Sequence, residues 1–226
     1  MKIAVIEDHT LIRDMLMVMC RQAVRGAVVV GAKDAAAGLE LCRVEKPDLV
    51  FLDLALPDRD GLDLLGDLVA ACPDCKVIAL SGYTDEFTLH RALRSNVHGF
   101  LDKNEQPLEA LGEAIETVMS GRRYLSSVAQ RVRATLRDDP AAFDKVLSDW
   151  EQQLLGFFGR AWSNDEIARQ SNLSAVTVRN HRCNIMAKLG IHSTPELINY
   201  AIEKGFTRVR MDRSRGGPNA VELKRV

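Results

Sequence analysis

The sequence predicts an α/β doubly wound, five-stranded parallel sheet followed by an all-α four-helix domain. Three observations carry that expectation. Five short apolar segments recur every twenty to twenty-five residues or so, with helical patterns between them. Three later stretches open with a serine followed three residues on by glutamate, the signature of a capped helix start. The charge also divides: residues 1–120 carry 12 Lys+Arg against 20 Asp+Glu, while residues 148–226 carry 12 against 8. With 226 residues the chain suits one large or two modest domains.

The first apolar segment, "IAVI", runs into Glu7 and Asp8. After His9, Leu11, Ile12, Met15, Leu16 and Met19 make one helical face. "VVVGA" is the second segment, and the third, "LVFL", ends on Asp53. The fourth, "VIAL", ends on Ser81, and the fifth, "GFL", leads to Lys103. Continuous apolar strands alternating with helices read as a parallel sheet covered on both faces. In such folds ligands bind outside the carboxyl ends of the strands. Glu7, Asp8, Asp53, Ser81 and Lys103 are therefore expected to converge on one sheet edge.

Residues 121–147 shift in composition, with 6 basic residues against 3 acidic. "SSVAQRVRATL" reads as a short basic helix with Val128, Val132 and Leu136 on one stripe, broken at Asp138-Asp139-Pro140. This segment is expected to be a linker. Beyond it, Ser148 with Glu151, Ser163 with Glu166 and Ser193 with Glu196 start three helices, the last helped by Pro195. Ser174 caps a fourth, "AVTVRNHRCNIMAKL". There Val178, Ile185, Met186 and Leu189 form an apolar stripe, with Arg179, Arg182 and Lys188 mostly away from it. Two short helices, a tight turn at Asn172-Leu173-Ser174 and a basic second helix describe a helix-turn-helix. Periodicity alone allows an ordinary helical bundle equally well. Residues 206–226 carry six basic residues against two acids and include "SRGGP", so a disordered basic tail is expected.

Three clustered carboxylates repel, and a divalent cation is the natural remedy. Magnesium takes few carboxylates, several waters and a phosphate oxygen. With the Lys103 ammonium and the Ser81 hydroxyl, the set suits a phosphoryl group carried on a carboxylate. Taken singly, each of these residues is more often an ordinary loop or surface group.

Residues 1–120 resemble the CheY-like receiver domain of bacterial two-component response regulators. The match rests on Glu7-Asp8, Asp53 within "DLALPDRDG", Pro57, Gly61, Ser81 and Lys103. The resemblance implies that Asp53 accepts a phosphoryl group from a histidine kinase. It implies that Glu7, Asp8, Asp53 and the carbonyl of Ala55 hold Mg2+, and that Ser81 and Lys103 bind the phosphoryl group. It puts Phe100 at the aromatic switch position, turning inward on phosphorylation.

Residues 148–205 resemble the LuxR-type DNA-binding domain through "SNDEIA", "LSAVTVRNH" and "KLG". Together the two modules resemble the NarL/FixJ class. That implies DNA contact by the fourth helix, with Arg179, Asn180 and Cys183 base-facing. Thr177, His181 and Arg182 would touch the backbone or frame the helix, with Lys188 among the DNA-binding set. It also implies paired half-sites and a homodimer on phosphorylation. Ala161 stands where the family has glycine, and Trp150 where it has a basic residue.

The expected function is a phosphorylation-gated transcriptional regulator, not an enzyme. One alternative is a DNA-binding regulator switched by partners without phosphorylation. Another is an aspartate-nucleophile phosphatase, which needs a second aspartate where Ala55 stands. No apolar run approaches the roughly 18 residues that span a membrane, and Glu7 and Asp8 interrupt any signal-peptide core, so a cytoplasmic protein is expected. Five scattered cysteines argue against a disulfide framework, and the Cys72-Pro73-Asp74-Cys75 pair reads as two loop cysteines brought together by chance.

Overall fold

The computed structural model describes residues 1–104, 108–207, 210–211 and 221–222. The chain forms two compact units, Met1–Thr84 with Leu89–Arg133 in one and Asp85–Thr88 with Ala134–Val226 in the other.

The first unit is built on β1 (Lys2–Ile6), α1 (Thr10–Ala23), β2 (Val28–Ala32), α2 (Ala35–Glu45), β3 (Leu49–Asp53), α3 (Gly61–Ala71), β4 (Lys76–Ser81), α4 (Glu86–Arg94), β5 (Gly99–Asp102) and α5 (Leu108–Met119). The strands pair in the order β2-β1-β3-β4-β5, all parallel. Every residue of β3 is buried, as a strand covered on both faces must be. Ala4, Ile6, Val50, Leu52 and Ala79 face one hydrophobic layer, and Ile3, Val5, Phe51, Ile78 and Leu80 face the other. The period-2 alternation of side chains thus feeds two cores from one sheet.

The sheet has six strands, not the five expected. Tyr124–Leu125 forms β6 and pairs in parallel with β5, Phe100 lying opposite Leu125. Two residues after a Gly-Arg-Arg run are too few to show a strand period. The pairing is set by the sheet edge they meet, where Tyr124 N–H donates to His98 and Ser126 N–H to Phe100. Helix α6 (Ser127–Asp138) follows, and its Ala129 and Val132 complete the first core layer beside Leu125.

The cysteine pair lies in the loop between α3 and β4, as expected, and is buried there. Cys72 and Cys75 are both buried, and Cys75 N–H donates to Cys72 O in the turn leaving α3. Burial pushes the Cys75 thiol up to about 12, with neighbouring Cys72 and Cys42 adding to it. Cys75 therefore stays protonated at neutral pH and packs as an apolar side chain.

The second unit contains a single-turn helix α7 (Phe143–Val146), then α8 (Asp149–Gly159), α9 (Asn164–Ser171), α10 (Ala175–Leu189) and α11 (Thr194–Glu203). The serine caps set the helix starts. Ser148 and Ser163 make complete capping boxes with Glu151 and Glu166. At α11 Ser193 accepts from Glu196 N–H, but the Glu196 carboxylate reaches back one residue further, to His192 N–H. Each cap is worth about 1 kcal/mol. Helix α9 ends on Asn172 in the left-handed region (φ 59°), a conformation asparagine tolerates, with its N–H on Ala168 O.

Ala161 also lies at positive φ (57°). This is the position where the resembled family carries glycine, and the alanine Cβ makes that conformation costly. Of the expected tail, Phe206 and Thr207 are buried, with Phe206 N–H donating to Ala201 O. Most of the remaining tail lies outside the described residues.

Candidate functional site

The order of the strands places the first site. β1 lies between β2 and β3, so the chain runs from β1 out to β2 and then crosses back past β1 to β3. The crevice outside the carboxyl ends of β1 and β3 is the topological switch point. The register Ile6↔Leu52 sets Glu7 beside Asp53 there. Ser81 ends β4, paired with Asp102 of β5, and Lys103 follows at once. All five strand-end residues expected at this edge are therefore on it.

Glu7 is fully buried and Asp53 is 1% exposed. A single cation joins them: Lys103 Nζ lies 2.6 Å from Glu7 Oε2 and 2.9 Å from Asp53 Oδ1. Its backbone is fixed by a hydrogen bond from Lys103 N–H to Ser81 O. Burial still pushes the Glu7 carboxyl above its ordinary value. Lys103 opposes that shift and the nearby Asp53 adds to it. Ala55 N–H donates to Asp53 Oδ1 at 3.0 Å and holds the carboxylate rotamer. The next loop closes through a bridge between Ala55 and Asp60. Gly61 must be glycine, because a Cβ there would stand 2.2 Å from Asp53 O.

Asp8 is half-buried, and its Oδ1 contacts His9 Nδ1 at 2.9 Å. Ligand atoms of Glu7, Asp8 and His9 lie within 4.8 Å of one another. Hard carboxylate oxygens in excess of the local positive charge fit a hard divalent cation such as Mg2+. Ser81 is buried, but its hydroxyl donates to Tyr83 O at 2.7 Å and accepts from Tyr83 N–H. Phe100 is 1% exposed, so the ring already lies inward beside Leu125 and Ala129.

Several supporting residues escaped the sequence reading. Arg91 of α4 holds Asp60 Oδ2 at 2.8 Å and Asp63 Oδ1 at 2.9 Å. Asp60 also caps α3 by accepting from Leu62 N–H. Asp58 accepts from Ala35 and Ala36 N–H at the start of α2. Burial works to raise its pKa, but these backbone donors outweigh it and hold the carboxyl below the usual range. Arg13 donates to Glu7 O. Apart from the local Asp60 cap on Leu62, these partners sit 6 to 31 residues apart in the chain, and no local pattern joins them.

The second candidate surface is α10. Val178 and Ile185 are fully buried, and Arg179, Asn180, Cys183 and Lys188 are exposed. Thr177 and His181 are half-buried at the border. Arg182 turns back into its own domain: it donates to Trp162 O at 3.3 Å, and its guanidinium stands 4.6 Å from the centre of the Phe158 ring. Burial lowers its pKa. Lys188 Nζ lies 2.7 Å from Glu151 Oε2 and helps hold that carboxyl below its ordinary value. Arg182 and Lys188 thus tie α10 to α8 and the loop that follows it.

Comparison with known proteins matches residues 3–116 to the response regulator receiver domain family and residues 145–201 to the luxR family of bacterial regulatory proteins. The chain is 32% identical over 213 residues to the oxygen regulatory protein NreC of Staphylococcus aureus, covering 90% of this chain and 98% of that protein. Its fold is similar to RcsB of Salmonella enterica serovar Typhimurium bound to promoter DNA in the presence of a phosphomimetic, with TM-score 0.61, 22% identity, 88% of this chain and 97% of that one. It is also similar to the response regulator ChrA of a heme-sensing two-component system, with TM-score 0.52, 24% identity, 91% of this chain and 98% of that one. A buried carboxylate cluster at a receiver switch point, followed by a LuxR-type helix-turn-helix, places this chain in the NarL/FixJ class of response regulators, the phosphorylation-gated, DNA-binding transcriptional regulators of two-component systems.

Proposed function

We propose that Asp53 is the phospho-acceptor and that a histidine kinase is the donor. The observation that carries this is a carboxylate kept 1% exposed at a strand end and neutralised by a lysine it shares with a second buried acid. A carboxylate oxygen of Asp53 attacks phosphorus and an O–P bond forms. The P–N bond of the donor phosphohistidine breaks, and the imidazole nitrogen keeps the electron pair. Glu7, Asp8, Asp53 and the Ala55 carbonyl would hold Mg2+, which would supply positive charge to the phosphoryl oxygens. In this reading Lys103 pairs with one of them, and the Ser81 hydroxyl exchanges Tyr83 for another.

In the effector domain, Arg179, Asn180 and Cys183 face base edges, and Thr177 and His181 meet the DNA backbone. Arg182 and Lys188 hold the helix in place. Phosphorylation favours a homodimer that reads half-sites about 10 base pairs apart. No helix among the described residues is long and apolar enough to cross a membrane, and we place the protein in the cytoplasm.

The test is labelling with acetyl phosphate and Mg2+. One acid-labile phosphoryl group should appear in intact-mass spectra and should be lost in Asp53→Asn, because an amide is no nucleophile. Undiminished labelling of that variant would overturn the assignment.

A further inference from the structure

Helix α10 carries apolar residues on both of its faces. Val178 and Ile185 point into the domain and are fully buried. Val176 points the other way and is 68% exposed, with exposed Cys183 and Ala187 on the same side. At about 100° per residue, Val176, Arg179, Asn180, Cys183 and Ala187 fall within an arc of about 100°. A solvated helix face ordinarily carries charged and polar groups, and the first turn gains nothing from an exposed β-branched side chain, which also lowers helix propensity. The first turn is also the part of a recognition helix that reaches base edges.

We infer that Val176 is a specificity-determining residue that reads the C5-methyl group of a thymine in each half-site. This rests on the reading of α10 as the base-facing helix. Major-groove edges offer hydrogen-bonding groups and one apolar group, the thymine methyl. On this face Arg179 suits guanine and Asn180 suits adenine. Val176 supplies the apolar complement, set three and four residues before them on the same side. Its branched methyls replace water around the thymine methyl, and no polar atom of the side chain is left unpaired. Alanine at this position would keep the helix and shorten the reach.

The test uses the full-length protein treated with acetyl phosphate and an operator selected from random duplex DNA. Each thymine is replaced in turn by deoxyuridine, which removes only the methyl group. Wild-type protein should lose about fourfold in affinity at one thymine per half-site, the value of one buried methyl-sized group. Val176→Ala should bind thymine and uracil equally there, while still rejecting replacement of the guanine read by Arg179. A Val176→Ala protein with the wild-type pattern of uracil sensitivity would overturn the inference. Arg179→Ala provides the separate control: if it keeps full sequence discrimination, the assignment of α10 itself falls and Val176 falls with it.

Discussion

The two domains hold their functional groups in opposite ways. In the receiver, Glu7, Asp53 and Ser81 are buried and each is already bonded to its neighbours. In the effector, Val176, Arg179, Asn180 and Cys183 stand on an exposed helix face. The difference suits the ligands proposed for them. A phosphoryl group is small and must meet several charged atoms at once, so its site is a buried, preorganised constellation whose electrostatics are strengthened by exclusion of water. A DNA groove is large and is reached from outside, so its reader must stand in solvent on a rigid support. Stability and function should therefore be coupled in the receiver and separable in the effector.

The largest expected effect tests the first half of that contrast. Lys103→Met leaves Glu7 and Asp53 as two buried acids without a cation, and should cost about 3 kcal/mol in urea denaturation as well as slowing phosphorylation. Adding Asp53→Asn should return part of the lost stability, because one of the like charges is removed. Additive losses would show that the three groups do not act as a unit.

A smaller change of opposite sign is expected in the effector. Ala161→Gly relieves an alanine held at φ 57° and should raise stability by about 1 kcal/mol, with DNA affinity unchanged. Thermal unfolding of wild type and variant side by side checks it. A neutral or destabilising result would mean that the flexibility given to the unfolded chain cancels the relief.

The smallest effect concerns His98, at the end of the sheet opposite Glu7 and Asp53. Its Nδ1 accepts from Val77 N–H at 3.0 Å, which requires an unprotonated nitrogen. Partial burial, then Lys76 and Arg123, hold its pKa below the ordinary value. The unfolded chain therefore takes up the proton first as pH falls below about 6.5, and stability declines until the lower folded value is passed. His98→Asn keeps an acceptor for Val77 and should flatten this decline. An unchanged pH profile would place the proton linkage elsewhere.

The acidic strand ends were legible because a buried parallel strand gives a continuous apolar run, so a polar residue at its tip stands out. The helix starts were legible because capping is local: Ser148 and Glu151 find each other within one turn. The sixth strand was not, since Tyr124–Leu125 is too short to show a period and pairs only because β5 offers an open edge. Nor was it legible that Phe100 shares a core layer with Leu125 and Ala129, 25 and 29 positions later in the chain. For Arg182 the sequence left backbone contact and framing of the helix both open, and for Lys188 it gave only a place in the DNA-binding set, because helical spacing gives an angle around the axis but not the distance to Trp162 or Glu151.

By itself the sequence determined the order of the first five strands, the serine caps of α8 to α11 and which residue types stand at the strand ends. These depend on interactions within a few residues, where spacing alone decides what can touch. Only the tertiary structure decided that Lys103 is shared between Glu7 and Asp53, that Arg91 grips the loop after Asp53, and that Val176 faces outward with Arg179. The first two contacts join groups separated by tens of residues. The third depends on which side of α10 the domain core covers. Each is fixed by the packing of whole helices and strands, which no local pattern encodes.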